Sequence, residues 1–125
     1  MVSGADVYEG GITGLSTHTD KLKDNPDQIR KMIRALLKSH SFLKDNKSES
    51  VKMISDWLKM DASVASVSYD MYLNALSEDG LVSDRALTLD IARTREAMKI
   101  KDEVPLSRVA DFSLAKEVAG RATGR

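Results

Sequence analysis

The sequence predicts a mainly α fold, about five short helices following one short N-terminal strand. Three observations carry that expectation. Apolar residues recur at i, i+3 and i+4 from residue 25 onward. Capping residues, Pro and Gly punctuate the chain at helix-length intervals. Only Ile12-Thr13-Gly14-Leu15-Ser16-Thr17 has the Ile/Thr content that favours extended backbone over a short run.

Residues 1–11, with Gly4, Gly10 and Gly11 and little periodicity, read as a flexible lead-in. The strand over residues 12–17 then needs a hydrogen-bonding neighbour that the rest of the chain does not supply. Asp24 or Asn25 caps the first helix, with Pro26 in its first turn and Asp27 at the positive end of the dipole. Ile29, Met32, Ile33, Leu36, Leu37, His40 and Leu43 form its apolar stripe, and Asp45-Asn46-Lys47 ends it. Ser48 caps a second helix with Val51, Ile54, Trp57 and Leu58 facing inward, Trp57 as a core anchor. Asp61 caps a third, its buried side drawn from Val64, Val67, Ser68, Met71, Tyr72, Ala75 and Leu76. Ser77-Glu78-Asp79-Gly80 is a turn in which Gly80 takes positive φ. Ser83 caps a fourth helix with Leu87, Ile91, Thr94 and Met98 inside and Lys99 and Lys101 at its negative end. Pro105 breaks the pattern. A last helical stretch starts near Leu106, is interrupted at Phe112-Ser113 and stops near Gly120, leaving residues 121–125 as a tail.

Composition removes several function classes. Nineteen basic and nineteen acidic residues cancel, so no global positive field holds a nucleic-acid backbone. The basic run from Lys21 to Lys38 is interleaved with Asp20, Asp24 and Asp27 and reads as a solvated helix face. Without cysteine, disulfides and thiolate metal sites are excluded. No apolar run approaches the roughly 20 residues of a membrane span. Met1-Val2-Ser3-Gly4 lacks the charged start and apolar stretch of a secretory signal, which for an exported protein is then expected upstream.

Candidate chemistry is sparse. His18 and His40 have no second histidine or glutamate at metal-ligand spacing, so neither a metal nor a cofactor is expected. His40 belongs to an apolar stripe, whereas His18 sits in a Ser/Thr-rich loop. Gly10-Gly11-Ile12-Thr13-Gly14 has no following Lys-Ser/Thr and is not a phosphate loop. Glu78, Asp79 and Asp84 miss calcium-loop spacing and read as solvated turn residues. Tyr69 and Tyr72 can share a helix face at the core edge, and the methionines read as scattered gap-fillers, not a groove.

The order of segments goes further. Ile12 to Asp27, containing Leu22-Lys-Asp-Asn-Pro-Asp, is followed by Arg30-Lys-Met-Ile-Arg-Ala-Leu-Leu-Lys-Ser-His-Ser-Phe42, then Tyr72-Leu-Asn-Ala-Leu-Ser-Glu-Asp-Gly80, then Val104-Pro-Leu-Ser-Arg-Val-Ala-Asp-Phe112. Across roughly residues 12–119 this resembles the C-terminal part of a periplasmic substrate-binding protein of an ABC importer, in the sulfonate/nitrate/taurine and thiamine-precursor class. The resemblance implies a fragment of a two-lobed α/β fold, with residues 12–120 holding the returning hinge strand and the helices of the first lobe. It implies transport, not catalysis: capture of a small anionic or heterocyclic ligand and delivery to a membrane permease, in the periplasm or at the cell surface. Thr17 and His18, just beyond the strand, lie nearest to a cleft mouth and are the ligand-contacting residues it suggests. Most of the pocket would come from upstream chain, and the reading frame is expected to extend that way.

Two other readings stay open on the sequence. One is an enzyme of thiamine-pyrimidine biosynthesis with the same fold, marked by histidine-rich cleft chemistry that this segment lacks. The other is a free-standing helical interaction domain. In the fragment reading, helices that once covered a sheet expose an apolar face and invite self-association.

Overall fold

A computed structural model describes residues 14–77 and 79–122. Seven helices and no strand occur among them: α1 (Thr19–Asp24), α2 (Pro26–Asp45), α3 (Lys47–Leu58), α4 (Ala62–Ala75), α5 (Asp84–Met98), α6 (Leu106–Val109) and α7 (Ser113–Ala122). The chain is thus mainly α. Gly14–Thr17 carries no regular structure, so the expected strand is not seen there, while Ile12 and Thr13 lie outside the described residues. The lead-in over 1–11 also lies outside them. Arg121 and Ala122 continue α7, which corrects the start of the expected tail.

The described residues divide into two compact units, Arg34–Gly80 and the chain flanking it on both sides. In the first unit, the later part of α2 passes into α3 through one residue, Asn46. The Asn46 N–H donates to the Phe42 carbonyl at 2.9 Å and its own carbonyl accepts from Ser50 at 2.9 Å. Asn46, not Ser48, is therefore the N-cap of α3. One residue serves both helix ends, which turns the chain sharply with few backbone groups left over.

Lys59 then closes α3 in the left-handed region at φ 54. The Ser55 hydroxyl donates to the Met60 carbonyl at 2.7 Å and fixes the turn. Asp61 caps α4 as the sequence predicts, accepting from the Ser63 backbone at 2.7 Å and from its hydroxyl at 2.6 Å. Helices α3 and α4 pack on each other. The buried row of α4 is Ala65 and Tyr69, with Leu73 and Leu76 partly covered. The Tyr69 hydroxyl donates to the carbonyl of Leu43. That carbonyl is in the last turn of α2 and has no continuing helix to pair with. Lys47 pairs with Asp70 at 2.7 Å and lies 5.6 Å from the Tyr69 ring centroid, closing the same corner. Gly80 takes φ +70, as its place in the turn requires.

The core of this unit is not the expected one. Val64, Val67, Met71 and Tyr72 are exposed, and the buried row of α4 is turned away from them. Trp57, expected as a core anchor, is 82% exposed, and Leu58 is exposed as well. Val51 and Ile54 are partly covered, as expected. On α2 the predicted stripe is partly buried throughout except for Met32.

In the flanking unit, Arg30 at the start of α2 binds Glu117 of α7 through Nε at 3.1 Å and Nη2 at 3.0 Å, and Asp27 through Nη1 at 2.9 Å. Ser83 caps α5 through its hydroxyl, which accepts from Ala86 at 3.1 Å. Ala86 and Val118 are buried, and Leu87 and Ile91 are partly so. Thr94 and Met98 are exposed, correcting the inner face assigned to the end of α5. Lys99 ends α5 at φ 56, its N–H donating to the last turn. Residues 110–112 separate α6 from α7, at the place where an interruption is predicted. There the Asp111 carboxylate accepts from the Ser113 N–H at 2.9 Å.

The Asp61 and Asp111 caps carry a pH dependence. The Ser63 hydroxyl and then its backbone N–H hold the Asp61 carboxyl below the usual aspartate range, and Ser113 does the same for Asp111. A depressed folded-state pKa contributes stability above the unfolded value that is lost as pH falls through the folded one. Asp61→Ser keeps a capping oxygen that does not titrate. The urea midpoint of that variant should approach that of the wild type as pH drops below the ordinary aspartate pKa. A gap constant from neutral to acid pH would show that the carboxylate charge contributes nothing to the cap.

Candidate functional site

The residues nearest to a predicted cleft mouth are Thr17 and His18. Thr17 is exposed in the irregular segment before α1. His18 is the N-cap of α1: its Nδ1 accepts from the Asp20 N–H at 3.4 Å and lies 3.1 Å from the Asp20 carboxylate. With its side chain 76% exposed, the imidazole has a local capping job, and among the described residues only Asp20 is brought to it. Among the described residues no group of His, Asp and Glu could hold a metal ion. No helix of the described residues is long and apolar enough to cross a membrane.

Two concavities do exist, each inside one unit. The flanking unit has a cleft of about 440 Å³ between α5 and the segment leading into α6, with Ile91, Arg95, Glu103 and Pro105 in its wall. Arg95 Nη2 donates to the Lys101 carbonyl at 3.0 Å and so fixes that segment, while its Nε is buried without a partner.

The second concavity is a groove of about 570 Å³ in the Arg34–Gly80 unit. Each wall is built by helical i, i+4 spacing. Lys38 with Phe42, and Ser39 with Leu43, line it from α2. Ser50 with Ile54, and Met53 with Trp57, line it from α3. The lining is strongly apolar, with three exceptions of different kinds. Lys38 is an exposed cation that enters no ion pair among the described residues. Ser50 is 1% exposed, and its hydroxyl has no hydrogen-bond partner. Ser39, by contrast, is satisfied by the Ala35 carbonyl at 2.9 Å.

This groove is not the interior that the sequence predicts. The sequence places Trp57 and the methionines in the interior, and periodicity alone cannot tell a core row from a groove wall when both are apolar. The one signal available was Ser50, a small polar residue on the inner side of an otherwise apolar α3 row.

A third feature is convex. Val64, Val67, Ser68, Met71, Tyr72 and Ala75 make an uncharged row along three turns of α4, with Val67 60% and Met71 59% exposed. A helix facing water ordinarily carries charge there. A scan against protein-family models, a search of curated proteins and a search of solved structures each find no match for the chain.

Proposed function

We propose that this chain is the helical C-terminal portion of a two-lobed solute-binding protein that serves an ABC importer. It contributes to capturing a small anionic or heterocyclic solute outside the cytoplasm and presenting it to a membrane permease, without chemical conversion. The observation that carries the reading is the uncharged outward row of α4. Val64, Val67, Met71 and Tyr72 have helical spacing suited to covering another layer, and no layer of this unit covers them. The order of the four phrases over residues 12–27, 30–42, 72–80 and 104–112 supports the same reading. So does the mainly helical character of a segment that would supply the outer helices of a lobe.

Function in such a protein is hinge closure: a ligand bridging two lobes stabilises the closed form by its differential affinity. On this reading Thr17 and His18 lie at the rim of the cleft and His18 orders its own helix start there. The self-association expected of the chain is the same apolar row finding a substitute cover.

The test is a thermal-shift panel on the product of the whole reading frame, with nitrate, taurine, an alkanesulfonate and a thiamine-pyrimidine precursor. At least one solute at a hundred times its Kd should stabilise that product by about 2.7 kcal/mol. The 125-residue chain should respond to none of the four. A reading frame that encodes no second lobe, or a two-lobed product indifferent to the panel, refutes the proposal.

A further inference from the structure

The geometry points to a small-molecule site in the α2/α3 groove that takes an aromatic carboxylic acid with a hydrogen-bonding substituent opposite its charge. Both its walls belong to the Arg34–Gly80 unit. Three features select the ligand class. Phe42, Met53 and Trp57 offer ring faces and a polarizable thioether along the open side, which suits a flat ring. Lys38, in no ion pair among the described residues, supplies a cation at one end of its row, a turn before Phe42, which suits a carboxylate.

Ser50 decides the matter. A hydroxyl buried to 1% exposure with no partner forfeits its hydrogen bonds to water and gains nothing in return. A ligand atom that reaches it recovers that loss. A purely hydrophobic docking face has no use for such a group, and the convex row of α4 has none. The volume of about 570 Å³ falls within the range of small-molecule pockets, and a benzoic acid fills only part of it.

Trp57 is the only tryptophan in the chain, so its indole N–H gives one reporter cross-peak by NMR. The probe is 4-hydroxybenzoate, added to the 125-residue chain, with benzoate and phenol as comparators. A ligand of that size is expected to half-saturate the Trp57 shift at about 1 mM. Ser50→Ala should weaken 4-hydroxybenzoate about fivefold and leave benzoate unchanged. Removing an orphaned hydroxyl leaves this variant at least as well folded as the parent. Lys38→Gln should weaken both acids about threefold and leave phenol unchanged.

The site does not exist if the Trp57 signal stays in place at ten times that concentration. It is no more than a greasy surface if the three compounds titrate alike and neither substitution separates them.

Discussion

Tyr69→Ala is expected to destabilise the Arg34–Gly80 unit by about 3–5 kcal/mol. Tyr69 is the largest fully buried side chain among the described residues. Its ring fills the space behind α4, and its hydroxyl satisfies the Leu43 carbonyl at the end of α2. Truncation empties the first and orphans the second. Small units bury little apolar surface, so a loss of this size consumes most of the margin such a fold has.

Tyr69→Phe separates the two roles. It keeps the ring and removes the donor, with an expected loss of about 1–2 kcal/mol. Far-UV circular dichroism in urea is the suitable measurement, because Trp57 is already 82% exposed and its fluorescence hardly reports unfolding. Equal midpoints for wild type and Tyr69→Ala would mean that α3 and α4 are not held together by this side chain.

Tyr69 also shows where the sequence is legible and where it is not. The α4 sequence contains two apolar rows. Hydrophobicity favours the one with Val64, Val67 and Met71, and that is the row the sequence reading buries. The buried row is the other, Ala65 and Tyr69 with Leu73, because the small Ala65 permits close helix approach and the phenol meets a helix-end carbonyl, while Leu76, expected inside, is partly covered. Neither advantage is visible in periodicity.

Caps were easier. Asp61 and Ser83 act through a side chain onto the following turn, a purely local event, and both stand where expected. The role of Asn46 is not legible locally, because it depends on two helices meeting at one residue. The short α1 leaves no mark on the pattern, because six residues carry too little periodicity to register. His18 reads from the sequence as a loop residue of interest. Its capping bond to Asp20 gives that interest a structural cause.

Changing two residues of the outward row, Val67→Glu with Met71→Lys, is expected to leave stability nearly unchanged in one context and to lower it strongly in another. In the 125-residue chain both positions face water, so stability should change by no more than about 0.5 kcal/mol. Self-association through the row should weaken by about a hundredfold or more, since two apolar contacts of roughly 1.5 kcal/mol each are replaced by charges that must be desolvated. Sedimentation velocity over a concentration series would read this, with Asn74→Lys, at an exposed polar position of the same helix, as the control.

In the product of the whole reading frame the same row is proposed to lie under another layer. The two charges would then be buried, and even as an i, i+4 ion pair they lose more hydration than their attraction returns, so the protein should fail to fold or lose several kcal/mol. A chain that is monomeric at every concentration and a longer product that tolerates both charges would together show the row to be an ordinary wet surface. The physical basis of the two-lobed reading would go with it.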